Sequence, residues 1–387
     1  MGLTPVARGL LETAEIVFGG KRHLRLAAPL IRGVARPWPS PFERAAEEVL
    51  AQRGRRVCVL ASGDPFVHGV GSVLLRHVAA QEMVAVPAPS AFSLAAARLG
   101  WALPDMVQLS LHARSLDLIR PHLQPGARLL VLTSDGEGPS ALARLMAEAG
   151  FGSSSLTVLE ALGGPRECVR RTTAAAFDLG AVDPLNTVAI EVEAGPGARV
   201  LGRTSGLADA LFEHDGQITK REIRALTLSA LSPRRGELLW DVGAGAGSVA
   251  IEWTLADPSL RAIAIEMRGD RAARIRRNAA AFGVPGLDVV EGQAPAAFAA
   301  LARPDAIFVG GGASDEGVLD AALEILRPGG RLVVNAVTLE TEALLMARRA
   351  ALGGELIRVA ISRADAVGDL TAWRPALPVT QWTWVKS

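Results

Sequence analysis

Residues 241–252 read DVGAGAGSVAIE, and the fold turns on how that stretch is read. The preceding residues, ELLWDVGA (237–244), form a short apolar run of the kind buried in a parallel sheet, and SVAIEWTLA (248–256) has helical spacing. Gly243, Gly245 and Gly247 therefore fall at a strand-to-helix turn. Glycine admits positive φ and close backbone approach, and free N–H groups at a helix start attract a carboxylate or phosphate. The same three glycines would also serve a tight turn that only closes a βα unit, so the neighbouring strands have to decide.

If 237–244 is the first strand, RAIAIE (261–266) is the second, and Glu266 ends it on the side where open α/β sheets bind ligands. A carboxylate there can accept both hydroxyls of a ribose, a requirement common to dinucleotide and S-adenosylmethionine (SAM) sites. The dinucleotide fingerprint wants its third glycine or alanine where Ser248 stands, and Gly247 comes one residue early, which favours SAM. Further strands follow in LDVVEGQAP (287–295), PDAIFVGGG (304–312) and LRPGGRLVVNAVTLE (326–340), and ELIRVAIS with PVTQWTWVKS suit a terminal antiparallel hairpin. Ahead of the glycine turn, Thr219 and Glu222 have the T-x-x-E spacing of a capping box, with Ile223 and Leu226 on one helix face.

Composition narrows the classes. The 387 residues, 49% hydrophobic and 21% charged, suffice for two or three globular domains. No long uncharged apolar run or leader pattern is seen, so a cytoplasmic protein without a membrane association is expected. Cys58 and Cys168 are too few for a disulfide framework or a metal cluster and read as core or near-core; no metal is expected. Forty-one basic residues against 40 acidic ones argue against a nucleic-acid partner. The first half alternates strand-like runs (RRVCVLASG, EMVAVPAPS, ARLLVLTS, SLTVLEALGG, NTVAIEVEAG) with helical ones, again an α/β pattern. A glycine-rich stretch near 195–217 reads as a linker, giving two domains, 1–205 and 206–387.

The order of the second half resembles class I SAM-dependent methyltransferases, Rossmann-like in fold. That resemblance implies that Asp241 and the three glycines face the methionine half of SAM, Glu266 the ribose, and Gln293 with Ala294 the adenine, with Thr219 also among the cofactor-binding residues. The stretch after the fourth strand, GGGAS, lacks the Asn or Asp-Pro-Pro-aromatic pattern used on exocyclic amines, so a carbon acceptor is open. The arginines of MRGDRAARIRRNAAAFG (267–283) read as a solvated helix face or as ligands for an acidic substrate.

In the first half, ASGDPFVHGVG (61–71) and PAPSAFSLAAARLGW (87–101) resemble the SAM-binding turns of tetrapyrrole methylases. Gly63, Asp64 and Pro65 match the first turn and Ser90 the second, and His112 and Arg114 match a Leu-His loop able to meet substrate carboxylates. His68 reads as packed beside its turn. The two-domain order resembles the bifunctional decarboxylating precorrin methyltransferases of cobalamin biosynthesis. It implies methylation of precorrin-6Y at C5 and C15 with one SAM per domain, loss of the ring C acetate as carbon dioxide to give precorrin-8, and a homo-oligomer. Asn335 and His112 are its candidate catalytic residues, Asn335 by position at a strand end. Relatives of the first domain open with a strand and a glycine-rich loop before a segment like GLTPVARGLLETAEIVFGG, with which this sequence starts, so that strand is expected to be missing and SAM binding there weak. Methylation of RNA or protein, and SAM or tetrapyrrole binding without turnover, stand as the alternative readings.

Overall fold

The computed structural model describes residues 2–387, which form two compact units. The first comprises residues 2–113, 126–147 and 152–193; the second comprises residues 114–125, 148–151 and 194–387.

In the first unit, β1 (Ile16–Gly19), β2 (Val34–Pro37) and β3 (Val57–Val59) make a parallel sheet of order β2-β1-β3. A second sheet holds β4 (Val107–Ser110), β5 (Arg128–Leu132), β6 (Ser155–Glu160), β7 (Cys168–Thr173) and β8 (Asn186–Glu191), ordered β4-β5-β8-β6-β7. Residues 83–88, apolar enough to read as a strand, have no ladder partner and line the same cavity as β3. Cys58 is half-buried on β3, but Cys168 is exposed: it opens β7, an edge strand with one open flank, which corrects the near-core reading.

The second unit is doubly wound. Its strands are β9 (Leu238–Val242), β10 (Arg261–Glu266), β11 (Asp288–Glu291), β12 (Ala306–Val309), β13 (Arg331–Ala336), β14 (Glu355–Val359) and, after a two-stranded hairpin of β15 (Ser362–Val367) and β16 (Leu370–Pro375), β17 (Val379–Val385). The seven-stranded order is β11-β10-β9-β12-β13-β17-β14, with only β17 antiparallel to both its neighbours. The expected terminal hairpin is thus a β14–β17 pair interrupted by a separate exposed one.

Strand alternation builds both faces of this sheet. Leu239, Ala262, Ala264, Phe308 and Val333 point to one side, while Leu238, Trp240, Ile263, Ile307 and Leu332 point to the other. On the first side pack α1 (Arg221–Leu231), α2 (Ser248–Ala256) and α3 (Gly269–Ala281), and on the second α4 (Val318–Ile325) and α5 (Leu339–Leu352). Each fully buried Leu, Ile or Phe contributes roughly 1.5–3 kcal/mol, so a sheet covered on both faces is strongly held.

Residues 195–217 are not a free linker: Leu201, Leu207 and Phe212 are buried in the second unit's core. The capping box does not form, since Lys220 is the N-cap of α1 without a side-chain cap and Glu222 pairs with Arg363. On α1 the buried row is Ile223, Arg224, Thr227, Leu228 and Leu231, and Leu226 is exposed. Among the described residues no helix is long and apolar enough to cross a membrane.

Candidate cofactor and substrate sites

The strand order reverses between β9, whose next strand lies to one side, and β12, which lies on the other; their C-terminal ends leave the crevice where open α/β sheets take ligands. A cavity of about 710 Å³ opens there. Gly243, Gly245, Glu266, Gln293, Ala294, Thr219 and Asn335, all expected from the sequence, line it together. Gly243 has to be glycine, because a Cβ would come within 2.9 Å of the Gly311 carbonyl oxygen. Gly247 does not line the cavity. Its missing side chain makes room for Ile275, whose Cγ2 would stand 2.7 Å from a Cβ, so this glycine serves helix packing.

Glu266 is 4% exposed and holds the glycine turn in place. Its Oε2 accepts from the Gly245 N–H at 2.9 Å and its Oε1 from the Arg268 N–H at 3.0 Å, leaving a lone pair on each oxygen for ligand hydroxyls. Asp241, like Gly247, is not among the residues that line the cavity; it is buried directly beneath the turn. Its Oδ2 accepts from the Ala250 N–H at 3.0 Å, whereas Oδ1 is buried with no partner. Burial pushes its carboxyl up to about 7, against the pull of the Ala250 N–H and with a push from the Glu266 charge. An orphaned carboxylate oxygen, a side-chain-free turn and a strand-end acid form a donor set that fits the cationic methionine half and the ribose of SAM.

Asn335 is half-buried in a ring of three polar side chains. Its Nδ2 donates to Thr227 Oγ1 at 3.0 Å, and Gln381 Nε2 donates both to Asn335 Oδ1 at 2.9 Å and to Thr227 Oγ1 at 3.1 Å. The ring fixes which end of the carboxamide faces which way and keeps one N–H and one lone pair of Asn335 for a ligand. Around the cavity mouth stand apolar Met267, Val337, Ile361 and Leu377 with cationic Lys220, Arg268 and Arg363. Arg363, on the β15–β16 hairpin, and Lys220 escaped the sequence reading, since nothing local ties them to the glycine turn.

The first unit has its own cavity, of about 750 Å³, lined by Gly63 and Pro65 among others. Asp64 and Ser90 do not line it but build its turns: Asp64 Oδ1 accepts from the Phe66 N–H at 2.8 Å, and Ser90 Oγ caps the helix Ala91–Leu99 by accepting from the Ser93 N–H at 3.1 Å. The two turns touch, a Cβ on Gly63 falling 2.7 Å from the Pro89 carbonyl oxygen. His112 is exposed, with Nδ1 3.4 Å from the Thr133 carbonyl oxygen, and lines neither cavity. His68 has its ring edge-on to Phe92 but is exposed, so it is not packed into the interior as expected.

Comparison with known proteins agrees with this two-part organisation. Residues 1–178 match the family of tetrapyrrole (corrin/porphyrin) methylases, and residues 210–386 match the precorrin methyltransferase domain. The chain is 61% identical to a precorrin-6Y C(5,15)-methyltransferase [decarboxylating] of Sinorhizobium sp over 100% of its own length and 93% of the relative. It is 43% identical to the protein of that name in Mycobacterium tuberculosis, over 100% and 96%. A cobalt-precorrin-6B C(15)-methyltransferase (decarboxylating) of Salmonella typhimurium is 35% identical over 45% of this chain and 92% of its own. With a glycine turn, a strand-end acid and a full-length likeness of this degree, the chain belongs to the precorrin-6Y C(5,15)-methyltransferase (decarboxylating) family of SAM-dependent enzymes.

Proposed function

We propose that this chain methylates precorrin-6Y at C5 and C15 with two SAM molecules, one per domain, and releases the ring C acetate as carbon dioxide, giving precorrin-8. The observation that carries this reading is the second unit's cavity, where an apolar rim set with cations surrounds a SAM-type glycine and acid floor. Such a rim suits a flat macrocycle edged with carboxylates. The functional division we propose lies near residue 205, and the separate family matches on either side of it support that division.

SAM, when bound, supplies an electrophilic methyl group that an electron-rich macrocycle carbon can attack without a strong base. The protein's work is therefore alignment. Glu266 would hold the ribose, Gln293 and Ala294 the adenine, and Asp241 with the turn at Gly243 and Gly245 the methionine half. The remaining N–H of Asn335 would orient a polar group of the substrate, and Lys220 and Arg363 its carboxylates. As the bond to carbon dioxide breaks, its electron pair passes into the protonated macrocycle and a proton from solvent replaces carbon dioxide on the remaining methylene carbon, leaving a methyl group; an apolar wall disfavours the acetate's charge before it leaves. The exposed Leu370, Trp373 and Leu377 give the expected homo-oligomer an apolar surface, and a cytoplasmic setting suits a small-molecule substrate of this kind.

Incubating the full chain with precorrin-6Y and methyl-labelled SAM should give a product with two labelled methyl groups and one carbon dioxide fewer. Label in RNA or protein instead would overturn the reading. Glu266→Ala should weaken SAM binding at the second unit by about 1.5–3 kcal/mol for each charged hydrogen bond lost, read by calorimetry; unchanged affinity removes Glu266 from the site.

The division of labour makes a further prediction. Gly63→Val forces a Cβ onto the Pro89 carbonyl at a residue whose φ is +59°, a strain of order 1–3 kcal/mol. It should cut C5 methylation about tenfold and spare C15 methylation and decarboxylation, whereas Glu266→Ala should do the reverse. Mass spectrometry of the partial products separates the two outcomes, and a variant that lowers both methylations equally would refute separate sites.

A further inference from the structure

The arginine-rich helix α3 has a role that neither a solvated face nor a substrate-binding face describes. Residues 213–220 cross beside the glycine turn without regular secondary structure, and their last four, Gln217, Ile218, Thr219 and Lys220, form one wall of the 710 Å³ cavity. With no ladder or helix bonds to place it, this strap depends on side chains. Asn278 of α3, 2% exposed, supplies the first set: Nδ2 donates to the Glu213 carbonyl at 3.0 Å and to the Ala246 carbonyl at 2.9 Å, while Oδ1 accepts from the Glu213 N–H at 2.9 Å. One amide thus bolts the strap to the glycine turn itself.

One helical turn and two turns N-terminal to it, on the same face, Arg274 and Arg271 supply the second set. Arg271 Nε donates to Asp215 Oδ2 at 2.9 Å, and Arg274 Nη1 faces the same oxygen at 3.2 Å, buried and without a hydrogen-bond partner of full alignment. The other oxygen of Asp215 accepts from the Gln217 N–H at 3.1 Å, which turns the strap towards the cavity. The Gln217 carbonyl oxygen ends 3.4 Å from where a Gly245 Cβ would be, so the strap closes over the part of the turn that Glu266 holds from below. Arg271, its Gln217 contact and Arg274 hold the Asp215 carboxyl well below the usual carboxylate range, so the clasp stays charged at any working pH.

We infer that Asn278, Arg271, Arg274 and Asp215 are positioning residues for SAM, a clasp that fixes the strap 213–220 against the glycine turn and so sets how long the cofactor stays. This rests on the reading of that cavity as a SAM site. If the clasped arrangement is the binding-competent one, loosening it divides the affinity by the fraction still clasped.

The test uses the full chain with S-adenosylhomocysteine as probe. Asp215→Ala and Asn278→Ala should each raise the Kd of one and the same binding event about tenfold through faster dissociation, the event that Glu266→Ala is also expected to weaken, and in turnover the KM for SAM should rise by more than kcat falls. Asp215→Asn, which keeps an acceptor for the Gln217 N–H but gives up the charge, should fall between wild type and Asp215→Ala. Should Asn278→Ala fail to fold, the two Asp215 variants carry the test, since that side chain is 27% exposed. Variants that bind within twofold of wild type, or that lower kcat with the SAM KM unchanged, overturn the clasp. If Asp215→Ala weakens binding while Glu266→Ala does not, the clasp stands and the placement of the ribose falls; a wild-type chain that binds no S-adenosylhomocysteine overturns both.

Discussion

Glu252→Ala is expected to destabilise the second unit by about 3–5 kcal/mol, the cost of leaving a buried charge without its partner. Arg224 on α1 is fully buried, and the Glu252 side chain on α2 is 2% exposed. Arg224 Nε donates to Glu252 Oε1 at 2.6 Å, and Nη1 reaches Asp209 Oδ1 at 3.1 Å and the Thr219 carbonyl at 2.5 Å. The guanidinium also lies 4.8 Å over the Phe212 ring, which stacks on Phe282 at 4.2 Å. Glu252 in turn accepts from the N–H groups of Gly206 at 2.6 Å and Leu207 at 2.9 Å. Alanine at 252 would leave the buried guanidinium with only the partly exposed Asp209 as counter-charge and strand two backbone donors at once.

Adding Arg224→Met to Glu252→Ala should recover part of the loss, because removing both charges also removes the desolvation cost that each imposes. Denaturant unfolding followed by fluorescence, to which the second unit's Trp240, Trp253 and Trp382 report, measures both. A single-variant loss below about 1 kcal/mol, the range of exposed pairs, or a double variant no better than the single one, would show that the network does not anchor residues 206–219.

That network shows where the sequence stops being legible. The glycine turn, the strand after it and Glu266 are readable because their signal is local: apolar runs, side-chain-free residues and an acid at a strand end fall within 30 residues. The parallel order followed from those runs. The position of β17 between β13 and β14 did not, because strand pairing is non-local and two extended stretches look like a simple hairpin until the inserted β15–β16 pair is seen. Arg224 sits beside Ile223 in a run where periodicity favours Leu226 for the core, yet Arg224 is buried and Leu226 exposed. The cause is Glu252, 28 residues away on another helix, and no local pattern announces it. For the same reason the arginines of α3 read as a solvated face or as ligands for an acidic substrate, and nothing local singles out Asn278, whose partners Glu213 and Ala246 lie 65 and 32 residues away. The site is legible where one segment makes it and silent where distant segments do.

SAM affinity at the second unit is expected to rise with pH up to neutrality and then level off, and Asp241 is the reason. An ordinary aspartic acid titrates near 3.8, but burial first, with the Glu266 charge adding to it and the Ala250 N–H opposing, brings this one to about 7. In the cofactor-free protein at pH 6 the carboxyl is therefore mostly protonated. SAM carries an ammonium and a sulfonium, and either favours the ionised carboxylate, whose Oδ1 has no other partner. Binding below pH 7 must then expel a proton, so Kd should fall by up to about tenfold per pH unit there and become flat above it. The stability of the free protein should move the other way. A carboxyl whose folded value exceeds its unfolded one contributes stability that is fully present below about 4 and is lost as pH rises through 7. Calorimetry at pH 6 in two buffers of different ionisation enthalpy should register close to one proton released at this site, and at pH 8 almost none. Asp241→Asn should abolish both the slope and the proton while keeping an acceptor for the Ala250 N–H. Proton uptake at pH 6, or the same slope in Asp241→Asn, would place the titrating group elsewhere and leave the buried oxygen of Asp241 without a part in binding SAM.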